Sequence, residues 1–207
     1  MIIAVDGPAA SGKGTLARAL ARHYGLTYLD TGSLYRAVGQ AVLAVGGDPT
    51  HEGAALAAAK ALDPIRIDEK VIRTAEAGHA ASLVAAMPAV RAAMLDLQRR
   101  FAARKPGAVL DGRDIGTVVC PQADVKLFVS ASPEIRAHRR WLELNSSGVN
   151  LSEAQVLEDV KERDRRDAER AASPMRPASD AHLLDTSDLS IEATFDAAVA
   201  IIDKAMG

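Results

Sequence analysis

Apolar and polar residues follow two different periods along the chain. Short apolar runs that end at polar or glycine-containing segments predict buried strands. Five such runs cover residues 2–5, 26–29, 108–110, 125–129 and 182–184. Longer segments with apolar residues three and four positions apart predict helices. These cover about residues 13–24, 31–45, 52–62, 75–86, 88–104, 133–144, 152–171 and 191–205. Strands that alternate with helices predict an α/β fold with a mostly parallel sheet.

Three local features refine this pattern. Thr31 is a favourable N-cap residue, and we predict that it caps the second helix. The alternation between residues 65 and 73 is short and weak, which predicts a small insert that is irregular or two-stranded. Residues 146–150 are polar and predict a loop, after which Ser152 is predicted to cap a long charged helix.

The composition is that of an ordinary globular protein. The 207 residues fit one domain with a buried core; 48% are hydrophobic, 25% are charged, and the net charge is -2. This balance excludes a disordered chain and a protein that coats nucleic acid, and few aromatic residues are available to stack on bases. Any function that depends on positive charge must therefore use local clusters, and we expect no nucleic acid partner.

The cysteine count and the N-terminus bear on the compartment. The single cysteine, Cys120, excludes an internal disulfide and a cysteine-based metal site, which favours a reducing environment. No basic segment precedes the first apolar run, and no apolar stretch is long enough to span a bilayer. We therefore expect a cytoplasmic protein without a membrane partner. No exposed apolar heptad indicates an oligomer, so we expect a monomer.

A glycine-rich loop with a lysine follows the first predicted strand and opens the first predicted helix. Its spacing, G-x-x-x-x-G-K, lets the backbone at Gly7 and Gly12 turn its N–H groups toward phosphate oxygens, while Lys13 supplies a positive charge. A glycine-rich turn without a ligand, the alternative, does not account for the lysine in this context. We therefore predict a nucleoside triphosphate site formed by Gly7, Pro8, Ala9, Ala10, Ser11, Gly12, Lys13, Gly14 and Thr15.

The residue after Lys13 departs from the common phosphate loop. It is Gly14, and the hydroxyl has moved to Thr15, whereas the common form has serine or threonine there to hold magnesium. We still expect Mg²⁺, held chiefly by phosphate oxygens and water, and we assign no protein ligand to it. The G-K-G-T variant resembles the loop of nucleoside monophosphate kinases, and the guanine-reading N-K-x-D motif of GTPases is absent.

Four further segments carry a family resemblance that covers nearly the whole chain, in order. They read D-T-G-S-L-Y-R at 30–36, A-A-S-L-V-A-A-M-P-A-V-R at 80–91, D-G-R-D-I-G-T-V-V at 111–119 and K-E-R-D-R-R-D at 161–167. They strongly resemble the bacterial cytidylate kinases, and the third segment is the most specific, since adenylate and guanylate kinases lack it. The resemblance implies ATP-dependent phosphorylation of CMP and dCMP to CDP and dCDP by direct in-line transfer, in pyrimidine nucleotide metabolism.

The same resemblance implies the architecture. The expected structure is a P-loop kinase fold, with a parallel five-stranded sheet flanked by helices. Residues 1–207 would form a single domain, with an acceptor-binding insert at about 31–104 and a small lid over ATP at about 140–160. The segment 62–73 looks short beside that of many family members, and we expect this to alter closure over the acceptor.

Residue roles are implied where the motifs match. Asp114 matches the residue that accepts from the exocyclic amine of cytosine, so uracil, which carries an acceptor there, should be rejected. Ser82 and Arg91 match further base contacts. Contacts to the acceptor nucleotide and its phosphate match Thr31, Arg36 and Arg113. Arginine suits a phosphate because its guanidinium fork binds two oxygens at once.

Two helical segments carry further candidates. Arg163, Asp167 and Arg170 are four and three residues apart and so share a helix face, and they match the family's ribose- and phosphate-contacting triplet. Arg139, beside the lid, is assigned to the donor side, and Tyr35 to the acceptor. The residues assigned to catalysis are Lys13, Arg113 and Arg163.

Simpler explanations remain open for several of these residues. Charged residues on one helix face commonly form solvated ion pairs. Asp111 and Asp114 could be turn or capping residues, Asp30 could cap a helix, and Tyr35 could be a core aromatic. The alternative functions are a P-loop kinase for another small acceptor and a non-catalytic ATP sensor, although a sensor needs no second phosphate-binding pocket.

Overall fold

Five strands form one parallel sheet at the centre of the molecule. The computed structural model describes residues 1–146 and 148–207, with the side chain of residue 65 excepted. The strands are β1 (Ile2–Asp6), β2 (Thr27–Asp30), β3 (Ala108–Gly112), β4 (Val125–Ser130) and β5 (His182–Asp185). Their order is β2-β3-β1-β4-β5, and every neighbouring pair is parallel. The predicted α/β fold and five-stranded parallel sheet are confirmed.

The sheet register brings acidic side chains to one edge. In β1, Asp6 lies beside Gly112, and in β2, Asp30 lies beside Asp111. Because the carboxyl ends of parallel strands meet at one edge, the segments that follow them also meet there. The central strands are buried on both faces, which explains their nearly continuous apolar sequence.

Helices cover both faces and build two smaller cores beside the sheet. They are α1 (Lys13–His23), α2 (Thr31–Ala44), α3 (Glu52–Ala61), α4 (Glu69–Ile72), α5 (Ala75–Val84), α6 (Pro88–Ala102), α7 (Pro133–Ser146), α8 (Glu153–Glu169) and α9 (Ile191–Met206). Side chains of α1 and α9 pack on one sheet face, and α6 packs on the other. Helices α2, α3, α5 and α6 share a separate core, and α7 and α8 share another.

The predicted cap of α2 and the two-stranded form of the predicted insert are wrong, and the predicted cap of α8 is confirmed. Asp30, not Thr31, is the N-cap of α2: its carboxylate accepts from the N–H of Ser33 at 3.1 Å. Thr31 is unavailable because its hydroxyl donates to the carbonyl oxygen of Asp111. The predicted insert at 65–73 is not two-stranded; a 3₁₀ turn, Pro64–Arg66, precedes the short α4. Ser152 does cap α8, through a capping box with Gln155.

One turn of π-helix, Ile115–Val119, follows β3 and was not predicted. It begins directly after Asp114, whose carbonyl oxygen accepts from the N–H groups of Val118 and Val119 at 2.9 and 3.2 Å.

In the predicted loop at 146–150, α7 continues through Ser146, and residue 147 lies outside the described residues. No single helix of the described chain could cross a bilayer; only α5 and α6, counted together across a 101° bend, meet the length and hydropathy threshold.

Candidate active site

The phosphate loop, residues 7–15, leaves β1 and enters α1 at the carboxyl edge of the sheet. Its backbone has positive φ at Gly7 (147°), Ala10 (59°) and Gly12 (85°). Gly7 is required, because a Cβ there would lie 2.0 Å from the carbonyl oxygen of Val129 in β4. Ala10 has a conformation that typically costs a non-glycine residue about 1–3 kcal/mol and that clusters at ligand sites. The loop is therefore built to curl tightly in front of α1.

The first turn of α1 is open to an anion. Gly12 is the N-cap of this helix, and no side-chain cap bonds its first N–H groups. That turn also contains no acidic residue. The free N–H groups and the helix dipole therefore favour a negatively charged ligand at this position.

Lys13 adds a full positive charge at this helix end. Its Nζ donates to the carbonyl oxygen of Pro8 at 3.3 Å, so the hydrogen-bond partner among the described residues is neutral. Burial lowers the pKa of Lys13 to about 7, and Arg113 acts in the same direction, while Asp111 and Asp30 oppose it. A phosphate bound here would supply the missing negative charge and raise this pKa again.

Two carboxylates face the loop from the ends of β2 and β3. Asp111 accepts from the Tyr28 hydroxyl at 3.0 Å, and burial raises its pKa to about 6, with the charge of Asp30 adding to the rise. The capping explanation for Asp30 is confirmed, yet its charge also reaches Lys13. Within residues 1–146 and 148–207, no three or more His, Cys, Asp and Glu side chains form a group that could hold a metal ion.

Gly14 is explained by the position of Asp111. A Cβ at residue 14 would lie 3.3 Å from Oδ2 of Asp111, which is tighter than most Cβ contacts. A serine or threonine would therefore press on that carboxylate. The departure from the common phosphate loop leaves room for an acidic group beside Lys13.

A cavity of about 480 Å³ lies between the phosphate loop and α9. Its walls include Gly12 and Thr15 of the loop and the apolar Leu16 and Phe195. Arg139 also lines it and donates to the carbonyl oxygen of Thr186 at 2.7 Å and to the Thr186 hydroxyl at 3.1 Å. The predicted donor-side arginine therefore lies beside the loop, where its role in binding stays a prediction.

A second cavity, of about 50 Å³, collects the acceptor candidates. Nine of the ten predicted residues line it: Thr31, Tyr35, Ser82, Arg91, Arg113, Asp114, Arg163, Asp167 and Arg170. The tenth, Arg36, lines an adjoining cavity of about 170 Å³ together with Lys13, Asp111, Arg113 and Arg163. Residues of α2, α5, α6 and α8 and residues that directly follow β3 and α8 thus meet at one place, although they are far apart in the sequence. Their individual roles stay predictions.

Buried ion pairs organise the acceptor cavity. Asp114 forms an ion pair with Arg91, and Nη2 of Arg170 lies 3.6 Å from its other oxygen. Arg113 donates to Asp167 at 2.8 Å. Burial acts to raise the pKa of Asp167, but Arg113 and Arg163 outweigh it and hold the pKa below its usual value. The surface ion-pair explanation is therefore wrong for Asp167, which is 6% exposed and bonds across elements.

Several buried polar atoms around this cavity have no hydrogen-bond partner. They are Oγ of Ser82, Nε of Arg91, Nε of Arg163 and Nη2 of Arg170. Burial lowers the pKa of Arg163 to about 9, and the adjacent Arg113 contributes to the lowering. Unpartnered donors and crowded positive charge both indicate an anionic, hydrogen-bonding ligand.

Tyr35 fits both interpretations that the sequence left open. It is 8% exposed and packs in the core that α2 shares with α3, α5 and α6, so it is a core aromatic. Its ring also lines the acceptor cavity, with the guanidinium of Arg91 5.6 Å from the ring centroid. Direct contact with the acceptor stays a prediction.

Comparison with known proteins decides the family. A sequence profile described as cytidylate kinase matches residues 3–204. The chain belongs to the cytidylate kinase family. A cytidylate kinase of Azorhizobium caulinodans is 59% identical over 207 residues, covering 100% of both chains. A cytidylate kinase of Afipia carboxidovorans is 58% identical over 205 residues, covering 99% of this chain and 98% of its own.

A solved structure supports the fold. The crystal structure of an uncharacterized protein from Eubacterium ventriosum superposes with a TM-score of 0.56, covering 99% of this chain and 98% of its own. The two sequences are 16% identical, so this likeness concerns the fold alone. The resemblance read from the motifs is confirmed at the level of the family.

Sequence reasoning missed the acidic side of the site. Asp30 and Asp111 were interpreted only as capping or turn residues, yet both lie next to Lys13. Asp6, directly after the apolar run 2–5, was given no role, although it ends β1 and is 4% exposed. A usable signal existed, because each of these residues ends an apolar run, and ligand sites of parallel sheets form at the carboxyl ends of their strands.

Proposed function

We propose that this protein transfers the γ-phosphoryl group of ATP to CMP and dCMP, producing CDP and dCDP, and so acts in pyrimidine nucleotide metabolism as a (d)CMP kinase. The observation that carries the proposal is a cavity beside the phosphate loop and the acceptor cavity that several cationic side chains line. Lys13, Arg113 and Arg163 line this cavity, and the two arginines also line the acceptor cavity. Membership of the cytidylate kinase family supports the same conclusion.

The proposed reaction is an in-line displacement without a covalent enzyme intermediate. A phosphate oxygen of the acceptor is already an anionic nucleophile, so the protein has to position two phosphates and neutralise their charge. Lys13 would contact the β- and γ-phosphates of ATP. Arg113 and Arg163 lie where the transferred group would pass, and Arg36 lies beside them for the acceptor phosphate. These groups are preorganised, which is the main source of rate in phosphoryl transfer.

The base of the acceptor is proposed to be read by Asp114. A carboxylate accepts from the cytosine amine, whereas the oxygen that uracil carries there would face it without a proton. Ser82 and Arg91 lie in the same cavity with unpartnered polar atoms, and Asp167 is suited to accept from a sugar hydroxyl. Rejection of uracil would follow because its oxygen leaves buried polar groups unpaired.

Mg²⁺ is proposed to accompany ATP. The carboxylates of Asp30 and Asp111 suit this ion, which prefers oxygen ligands and commonly binds through one or two carboxylates, phosphates and water. When bound, the ion would neutralise charge on the β- and γ-phosphates. Asp111 would then be held ionised, since a nearby cation lowers the pKa that burial has raised.

The insert at about 31–104 and the lid at about 140–160 are proposed to close over the two nucleotides within one domain, residues 1–207. Closure would exclude water, which otherwise competes for the phosphoryl group. Action as a monomer is part of the same proposal. Cys120 is a buried free thiol, which suits a reducing cytoplasm.

The test is ADP release from ATP and magnesium across a panel of acceptors: CMP, dCMP, UMP, AMP, GMP, dTMP and shikimate. We expect strong preference for CMP and dCMP. The same panel with Asp114→Asn should show loss of preference for CMP over UMP by about tenfold or more, because the variant no longer presents two acceptor oxygens. Preference for another acceptor, or no acceptor-dependent turnover, would reject the proposal and leave the phosphate loop as the site of an unrelated kinase or an ATP sensor.

A further inference from the structure

Asp6 is a buried carboxylate between the phosphate loop and the turn that follows Asp114. It is the last residue of β1, directly before the phosphate loop, and it is 4% exposed. Its Oδ1 accepts from the N–H of Ile115 and its Oδ2 from the N–H of Gly116, both at 2.8 Å. These bonds join residues 109 and 110 positions apart in the sequence.

The two N–H groups belong to the π-helical turn that begins after Asp114. The carbonyl oxygen of Asp114 is held from the other side by the N–H groups of Val118 and Val119. Asp6 therefore holds the peptide groups on both sides of Ile115 through their N–H groups. The turn also holds the first of these two peptides, through the Asp114 carbonyl oxygen. The direction in which the Asp114 carboxylate enters the acceptor cavity depends on both.

The space between Asp6 and the π-helical turn has no room for a side chain at Gly116. A Cβ at Gly116 would lie 3.4 Å from Oδ2 of Asp6 and 3.1 Å from Cδ of Lys126. The amine of Lys126 is directed elsewhere, to Asp180 and the Pro121 carbonyl oxygen. No ion pair within 4.0 Å joins Asp6 to a basic group of the described residues, so the peptide N–H groups are its stabilising contacts.

Burying an ionised carboxylate to hold a turn costs free energy. Burial raises the pKa of Asp6 to about 6, the two peptide N–H groups oppose the rise, and the charge of Asp114 adds to it. Two neutral acceptors could satisfy two N–H groups without this cost. What the carboxylate provides is a rigid pair of oxygens that fixes two successive peptide groups together.

We propose that Asp6 is a positioning residue for base discrimination: its two oxygens hold the Ile115 and Gly116 peptides so that the carboxylate of Asp114 meets the exocyclic amine of cytosine. Asp6 does not touch either nucleotide in this proposal. The inference rests on the base-reading role proposed for Asp114 and adds the residue that orients it.

The test is Asp6→Asn, which keeps the shape but replaces one acceptor oxygen by an amide that faces a peptide N–H. We expect the ratio of kcat/KM for CMP to kcat/KM for UMP to fall by about tenfold or more. The KM for CMP should rise more than kcat falls, and the KM for ATP should stay within about twofold. A merely structural role would not change the preference between bases.

A matched control is Thr27→Val, which removes a hydrogen bond of 2.7 Å from Thr27 Oγ1 to the Gly107 carbonyl oxygen at the opposite edge of the sheet. It should lower stability and leave the CMP-to-UMP ratio unchanged. If Asp6→Asn also leaves that ratio within about twofold, the inference is overturned. The double variant Asp6→Asn/Asp114→Asn should discriminate no worse than Asp114→Asn alone, because the two residues act in one unit.

The variants separate this inference from the proposed function. If Asp114→Asn lowers the ratio and Asp6→Asn does not, Asp114 reads the base and the inference about Asp6 fails. If Asp114→Asn leaves the ratio unchanged, the base-reading role itself fails, and the inference with it. Should Asp6→Asn not fold, Asp6→Glu is measured instead; it keeps the charge, displaces both peptides and should lower the ratio. If neither variant folds, Asp6 is a residue of the fold only, and the inference is overturned.

Discussion

Lys13 is a buried cation with two arginines and two carboxylates around it. Burial and Arg113 lower its pKa to about 7, and its hydrogen-bond partner is the Pro8 carbonyl. Its neighbour Arg163 is shifted in the same direction by the same two causes. The free site is thus electrostatically unfavourable, and the phosphates of two nucleotides would relieve it. Buried charged groups with strongly shifted pKa values are typical of functional sites.

We expect Lys13→Ala to lose kcat by about 10²–10³-fold, because one preorganised positive contact to the transferred group is removed. Binding of CMP should change by less than about threefold, since Lys13 does not line the acceptor cavity. Steady-state ADP release would measure kcat, and calorimetric titration would measure CMP binding. Lys204→Ala, on the exposed last turn of α9, is the control and should leave both unchanged. Loss of CMP binding as large as the loss of kcat would reject the role assigned to Lys13.

At the scale of residues, sequence motifs predicted the basic side of the site better than the acidic side. The phosphate loop and the arginines belong to specific motifs, and the structure groups nine acceptor candidates around one cavity. Asp30 was interpreted as a cap and is one, but the register that places it beside Asp111 is a property of the sheet. The residues next to Asp30 in the sequence indicate its role as a helix cap, but they do not indicate its position beside Asp111.

At the scale of elements, the junction of β1 and α1 sets how the phosphate loop can curl. Gly7 has φ 147°, and a Cβ there would meet the Val129 carbonyl oxygen at 2.0 Å. Gly25, which follows the C-cap of α1, has φ 64° and nothing within 4 Å of such a Cβ. Alanine substitution at Gly25 therefore tests the cost of a left-handed backbone alone, whereas substitution at Gly7 adds a steric clash.

We expect Gly25→Ala to lower the free energy of unfolding by about 1–2 kcal/mol, the usual cost of a left-handed conformation. Gly7→Ala should cost more than about 3 kcal/mol, because the backbone of β4 cannot move away without breaking the sheet. Urea denaturation followed by circular dichroism would measure both. Equal costs at the two positions would show that the loop relaxes around a side chain at residue 7.

Most elements were predicted from periodicity, and the exceptions have physical causes. The π-helical turn after β3 has no periodic signal, since it is held by Asp6 and by the Asp114 carbonyl oxygen. Thr31 has the composition of an N-cap, but its hydroxyl is used by the neighbouring strand. Both misses arise where a contact from a distant segment overrides a local preference.

At the scale of the whole molecule, nucleotide binding should change protonation. At pH 8, a Lys13 with a pKa near 7 is mostly neutral, whereas the phosphates of ATP would raise that pKa and favour the charged form. Binding above pH 7 is therefore coupled to proton uptake, by roughly 0.9 proton at pH 8.

Calorimetric titration with magnesium and ATP at pH 8, in two buffers of different ionisation enthalpy, would measure this uptake. The difference in observed enthalpy between buffers gives the number of protons bound. Lys13→Met should bind more weakly and without the uptake. An identical uptake in both proteins would show that another group titrates and that Lys13 is already charged in the free protein.

The sequence by itself determined the five strands and the longer helices, the phosphate loop and the family, because each depends on residues that are close along the chain. Periodicity identifies buried faces, and the motifs that carry the resemblance are contiguous. The tertiary structure alone decided which residues meet: Asp6 with the turn after Asp114, Asp30 with Asp111, and Arg113 with Asp167, 54 positions away. These contacts depend on strand register and helix packing, which a local pattern does not specify.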